Sequence, residues 1–177
     1  MRDEGLDLEL GGVGSAPPLP APAPFVEVRA ARPADLPELA AAVWDLPLLR
    51  RYGITEHGLR RDLEAALARG EGLVVAARDG EPIGFAWFLE HGGFGIGGYL
   101  RLIALRPGDQ RLRLGSRLLD EVERRVAQRA RAMFLLVSDF NADAQRFYER
   151  SGYERAGTLP SLLRPDIDEL VYWKRLR

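Results

Sequence analysis

The chain has 177 residues, a formal net charge of −1 at pH 7, and 46% hydrophobic against 29% charged residues. That length suits one domain with a sizeable core, and the near-neutral charge gives no general attraction to nucleic acid. The absence of cysteine excludes disulfides, thiolate metal sites and a cysteine nucleophile, and it accords with a cytoplasmic protein that holds no metal.

Residues 1–24 read as a tail. Five prolines between Pro17 and Pro24 alternate with Ala and Leu after a Gly-rich stretch, a composition that buries too little surface to repay ordering. The folded domain is expected over residues 25–177. Phe25, Glu27 and Arg29 alternate with Val26, Val28 and Ala30 in a first strand. Pro33-Ala34-Asp35 opens a helix with Leu36, Leu39, Ala40 and Val43 on one face. Asp45 to Tyr52 reads as a connector. Thr55 is the N-cap of a second helix carrying Leu59, Leu63, Ala66 and Leu67, and Gly70 ends it.

Strands follow. Leu73–Ala77 is a continuous apolar run, Asp79-Gly80 a hairpin turn, and Ile83, Phe85, Trp87 and Leu89 an alternating partner. Gly93-Phe94-Gly95-Ile96-Gly97-Gly98 matches G-x-G-x-x-G, but it leads into a strand, Tyr99–Leu105, where a dinucleotide site needs a helix. It reads as a hairpin loop. A long helix then carries Leu114, Leu118, Val122 and Val126 four residues apart. A buried strand (Met133–Val137), a helix (Asn141–Arg150), a short strand near Tyr153 and a last strand near Glu169–Trp173 complete the chain. The order β-α-α-β-β-β-α-β-α-β-β predicts a mixed α/β sheet and not a repeating βαβ array.

No apolar run approaches a membrane span, and Met1-Arg2-Asp3-Glu4 opens without the apolar core of an export signal. No membrane partner is expected. Nine arginines fall between Arg101 and Arg131, interrupted by Asp120, Glu121 and Glu123 and without interleaved aromatics. They read as solvated helix faces, so no nucleic-acid partner is expected either.

Two segments carry chemistry. In the first, the strand containing Ile103, Ala104 and Leu105 runs through a short loop into Gln110-Arg111-Leu112-Arg113-Leu114-Gly115-Ser116 at a helix start. Free first-turn amides and the helix dipole favour an anion there, Gly115 allows close approach, and Arg111 and Arg113 add positive charge. In the second, Asn141, Ala144 and Tyr148 share one helical stripe, with Gly152 just past the helix end. Each also has a purely structural use: Asn141 as N-cap, Gly152 as C-cap, Tyr148 as half-buried core.

With both segments in this order, the chain resembles the GNAT acetyltransferase superfamily over residues 25–177. The family's Q/R-x-x-G-x-G/A loop maps onto Gln110–Gly115, with Arg113 standing at its first glycine. Its N-x-x-A-x-x-x-Y-x-x-x-G-F/Y pattern maps onto Asn141, Ala144, Tyr148, Gly152 and Tyr153. The resemblance implies a mixed, mostly antiparallel sheet flanked by helices, and acetyl-CoA as co-substrate for acetylation of an amine on a small molecule or protein. It implies a pyrophosphate held by Gln110 to Ser116, and pantetheine running beside Ile103, Ala104 and Leu105. The Ile103 N–H would stabilise the oxyanion, and Tyr148 would serve as general acid. The chain would act as a monomer or homodimer. The general base stays open among Glu90, His91 and Asp139. The acceptor would lie between Trp44, Leu48, Arg50 and Tyr52 on one side and Leu159–Pro165 on the other, with Tyr99 and Arg101 facing it. A non-catalytic acyl-CoA sensor is the alternative reading.

Overall fold

The computed structural model describes residues 25–109 and 113–177; the Pro-rich segment 1–24 and residues 110–112 lie outside the described residues. Seven strands share one sheet: β1 (Val26–Ala30), β2 (Gly72–Arg78), β3 (Glu81–Gly93), β4 (Gly97–Leu105), β5 (Ala132–Ser138), β6 (Glu154–Arg164) and β7 (Ile167–Arg175). Their spatial order is β1-β2-β3-β4-β5-β7-β6. Every neighbouring pair is antiparallel except β4 with β5. The sheet is therefore mixed and mostly antiparallel, as expected.

Turn chemistry explains the hairpins. Asp79 and Gly80 both take positive φ (50° and 86°) between β2 and β3, which matches the right-handed strand twist. Phe94 (φ 53°) and Gly95 (φ 72°) close the β3–β4 turn, so the G-x-G-x-x-G segment joins two strands and opens no helix.

Helices cover the two faces differently. On one face lie α1 (Leu36–Val43), α2 (Pro47–Arg51) and α3 (Glu56–Ala68). Leu36, Leu39, Val43, Leu59 and Leu63 pack there on Leu73, Val75, Phe85, Trp87 and Ala104. Thr55 caps α3 by accepting from the Gly58 N–H at 3.1 Å. On the other face lie α4 (Leu114–Val126) and α5 (Ala142–Arg150). The α4 stripe of Leu114, Leu118, Val122 and Val126 is buried against Leu100, Met133, Leu135 and Val137. Full burial of each such side chain stabilises the fold by about 1.5–3 kcal/mol.

Three local expectations need correction. The connector Asp45–Tyr52 contains α2, which Pro47 starts at its first position; five residues are too few for a periodic signal. Pro33–Asp35 forms a 3-10 turn ahead of α1. Asp35 leaves that turn inward, where its carboxylate takes both guanidinium nitrogens of Arg29 at 2.6 and 2.8 Å. The strand expected near Tyr153 begins only at Glu154 and runs 11 residues along the exposed sheet edge. Its side chains are nearly all solvent-facing, so no apolar alternation announces it.

The arginine run of 101–131 resolves into local pairs. Arg106 binds Asp109 and Glu81, Arg124 and Arg125 both bind Glu121, Arg129 binds Glu90, and Arg101 lies 4.5 Å over the Trp87 ring.

Candidate active site

The sheet parts at its one parallel junction. β4 and β5 pair only through Gly98–Met133, Tyr99–Phe134 and Leu100–Leu135. Beyond Leu100 the remaining five residues of β4 have no β5 partner. The hydrogen-bond phase on the β3 side shows which way their amides point. The Arg106 N–H donates to the Ile83 carbonyl at 2.8 Å, and bonded pairs alternate along an antiparallel ladder. Ala104 opposite Phe85 and Leu102 opposite Trp87 keep that phase. Ile103 and Leu105 fall between them, so their N–H and C=O groups face away from β3 and into the gap.

The N-terminus of α4 stands at the mouth of this gap. Gly115 is its second residue. Among the described residues, a Cβ there would meet Phe147 at 3.6 Å and Leu105 Cδ1 at 3.8 Å, both ordinary contacts, and its φ is not positive. Neither packing nor backbone geometry thus requires glycine, although glycine weakens a helix. Arg113, the N-cap of α4, holds φ 54° and ψ 21°, a left-handed conformation that costs a non-glycine residue roughly 1–2 kcal/mol. Its side chain is exposed. Upstream, buried Asp109 accepts from Arg78 and from Arg106 Nε (2.8 Å for the latter), fixing the turn that follows β4. Leu114 is core and Ser116 half-buried. Gln110, Arg111 and Leu112, expected in the same cradle, lie outside the described residues.

Helix α5 supplies the other wall. Asn141 caps it, its Oδ1 accepting from the Ala144 N–H at 3.2 Å, and Gly152 (φ 85°) follows its end. Both structural uses of these residues are therefore present. Ala144 and Phe147 pack on the core. Tyr148 is 6% exposed, in edge contact with Phe147 at 5.0 Å and Tyr153 at 5.6 Å. Burial, and next the neighbouring Tyr99, push its phenol well above the usual tyrosine range, so it stays protonated at neutral pH.

The three carboxylate or imidazole candidates at the strand ends do not converge. Glu90 is tied to Arg129 at 3.1 Å and His91 is exposed. Asp139 Oδ1 accepts from the adjacent Phe140 N–H at 2.8 Å. Of the connector residues, Trp44 is 37% exposed and Arg50 pairs with Asp45 on the surface. Leu48 and Tyr52 are half-buried. The Tyr52 hydroxyl donates to Glu169 Oε1 in a short hydrogen bond and sits 2.9 Å from Ser138 Oγ. Glu169, 3% exposed, lies opposite Ser138 in the β5–β7 register. Burial raises its carboxyl, the Tyr52 bond lowers it and Asp139 raises it, with a net upward shift. Tyr52 is pushed up to about 12, first by burial and then by Glu169. Neither Glu169 nor this cluster stands out in the sequence; the one signal is an acidic residue within the apolar last strand. Leu159–Arg164 lie on the exposed edge strand β6.

A mixed sheet that parts at its parallel pair, with one helix starting at the gap and a tyrosine-bearing helix beside it, is an acetyltransferase architecture. The chain belongs to the Acetyltransferase (GNAT) family, whose sequence profile matches residues 39–153. It superposes on a GNAT-family protein from Desulfovibrio desulfuricans with a TM-score of 0.73, at 24% identity over 86% of this chain and 100% of the other. An aminoglycoside 6'-N-acetyltransferase complexed with coenzyme A gives 0.71 at 18% identity, covering 85% and 97%. A ribosomal-protein-alanine N-acetyltransferase from Brucella melitensis gives 0.65 at 23%, covering 85% and 99%. At these identities the likeness shows the fold. No curated protein matches the sequence. Among the described residues, no helix is long and apolar enough to cross a membrane, and no group of three or more His, Cys, Asp or Glu is placed to hold a metal ion.

Proposed function

We propose that the chain is an acetyl-CoA-dependent N-acetyltransferase that moves the acetyl group to an amine by direct attack, with residues 25–177 as the catalytic domain. The observation that carries this reading is the gap beyond Leu100, into which the Ile103 and Leu105 amides point, with Gly115 beside Leu105 at its mouth. Pantetheine runs beside Ile103, Ala104 and Leu105. The pyrophosphate meets the α4 amides from Leu114 to Ser116, with Arg113 as a charged neighbour and Gln110, Arg111 and Leu112 in the same loop. Asn141 and Ala144 shape the opposing wall.

In this reading the Ile103 N–H bonds the thioester oxygen more strongly as negative charge develops on it. Tyr148, held protonated by burial, gives its proton to the departing thiolate. Side-by-side positioning of two substrates supplies much of the remaining acceleration. The left-handed Arg113 is the observation that favours a non-catalytic acyl-CoA sensor, and buried, protonated Tyr148 favours the enzyme. An acetyl-CoA turnover assay across small amines, aminoglycosides and peptide N-termini decides between them. Turnover of at least one amine is expected; tight acetyl-CoA binding with no turnover on any would establish the sensor.

A further inference from the structure

The face of β5 and β7 opposite α4 and α5 is covered at its Ser138–Glu169 end by the C-terminal end of α2. The α1–α3 cluster draws its strand residues from β2, β3 and β4 alone. Phe134 and Leu136 of β5 and Val171 and Trp173 of β7 consequently remain half-exposed. Within that face Glu169 is an exception, a carboxylate 3% exposed in an otherwise apolar surround. It is a built feature. Tyr52 reaches it from the C-cap of α2, 117 residues away in sequence, and Ser138 completes a chain of hydroxyls beside it. Tyr52 holds Oε1. Oε2 has no protein donor among the described residues and is not one of the sealed, unpartnered atoms.

Glu169 also sits beside the gap, because its register partner Ser138 lies three residues beyond Leu135, the last β5 residue paired to β4. Tyr99 lies in the last three β4 residues paired to β5, just where the sheet parts. The groups around Glu169 are Tyr52 at the C-cap of α2, Tyr99 of β4, Ser138 and Asp139 at the end of β5, and its register partner Leu159 from β6. None of them is a cation, and Tyr52 is the one hydrogen-bond donor to this carboxylate among the described residues.

Resting on the acetyltransferase reading, we propose that Glu169, held by Tyr52, is the general base that takes a proton from the acceptor's ammonium group. The N–H bond of the bound R–NH3+ breaks, its electron pair stays on nitrogen, and the proton forms a bond to Glu169 Oε2. The freed pair attacks the thioester carbon. Collapse of the tetrahedral adduct breaks the C–S bond, and the thiolate takes the Tyr148 proton. The second ammonium proton, now on the amide nitrogen, passes to the Tyr148 phenolate and restores it. Glu169 returns its proton to solvent, so the balance is R–NH3+ plus acetyl-CoA to amide, CoA thiol and one proton. Burial that keeps the carboxyl above the ordinary carboxylate range makes it a better acceptor near neutral pH. The acceptor is thereby defined as a cation that exchanges its charge against this carboxylate.

The test compares the wild-type full chain with Glu169→Gln and Tyr52→Phe, using acetyl-CoA and the best amine from the panel. Glu169→Gln should lower kcat/KM at pH 7 by about 100-fold or more and remove the acid limb of its pH profile. Acetyl-CoA affinity by calorimetry should be unchanged. Tyr52→Phe should move that limb to higher pH, because the carboxylate loses a donor that favours its charged form; a merely structural tyrosine would leave it in place. If wild type acetylates an amine while Glu169→Gln keeps its rate and pH profile within twofold, the base assignment is overturned and the enzyme reading stands. If wild type binds acetyl-CoA and acetylates nothing, the enzyme reading falls and the base assignment with it.

Discussion

Gly115 of α4 and Phe147 of α5 face each other across the mouth of the gap, with the ring 3.6 Å from where a Gly115 Cβ would stand. That spacing is comfortable contact, so the protein alone would accept alanine. The two helices therefore approach each other closely at the point where the α4 amides lack intrahelical acceptors.

Gly115→Ala should accordingly separate stability from binding. The alanine helix should be more stable by up to about 1 kcal/mol, read as a raised melting temperature. Affinity for CoA should fall about tenfold, equivalent to about 1.4 kcal/mol, because the methyl group occupies the approach to the backbone. A variant that loses stability would show that glycine serves packing.

Arg113→Gly tests the other side of the cradle. Relief of the left-handed conformation should stabilise the fold by about 1 kcal/mol, or roughly 2–4 °C in melting temperature. Loss of the guanidinium should weaken CoA binding severalfold at low ionic strength and less at high salt. Titration at two salt concentrations checks both signs.

Tyr148→Phe should leave stability within about 0.5 kcal/mol, since the hydroxyl makes no hydrogen bond to a described residue. CoA affinity should hold while kcat falls by about 100-fold or more. An unchanged kcat and pH profile would remove the phenol from the proton path.

Asp35 supplies a pH signature away from the site. The Arg29 hydrogen bonds hold its carboxyl below the usual range against the opposing effect of burial. A depressed folded value means that its stabilisation is complete above the unfolded carboxyl value of about 3.9. The contribution is lost as pH falls through the lower folded value. Asp35→Asn should cost about 2–4 kcal/mol at pH 7, and the gap to wild type should close in acid. Urea melts at pH 7 and pH 3 measure it.

Much of this architecture is legible in the residues themselves. The four-residue spacing of Leu114, Leu118, Val122 and Val126, the Thr55 and Asn141 caps and the Asp79-Gly80 turn are local signals, and each appears where its chemistry places it. What stays hidden is either short, exposed or non-local. α2 is five residues long, and β6 shows the solvent nearly every side chain. The Tyr52–Glu169 bond joins positions that no spacing rule relates. The strain at Arg113 is likewise invisible, because an arginine there reads as charge and not as a φ of 54°.

The most direct measurement is a calorimetric titration of acetyl-CoA into wild type and Gly115→Ala side by side. One molecule bound per chain, with weaker binding to the more stable alanine variant, is the result expected if the cofactor's pyrophosphate lies on the α4 amides at the sheet gap. Absence of binding, or equal affinity in the two proteins, would contradict that placement.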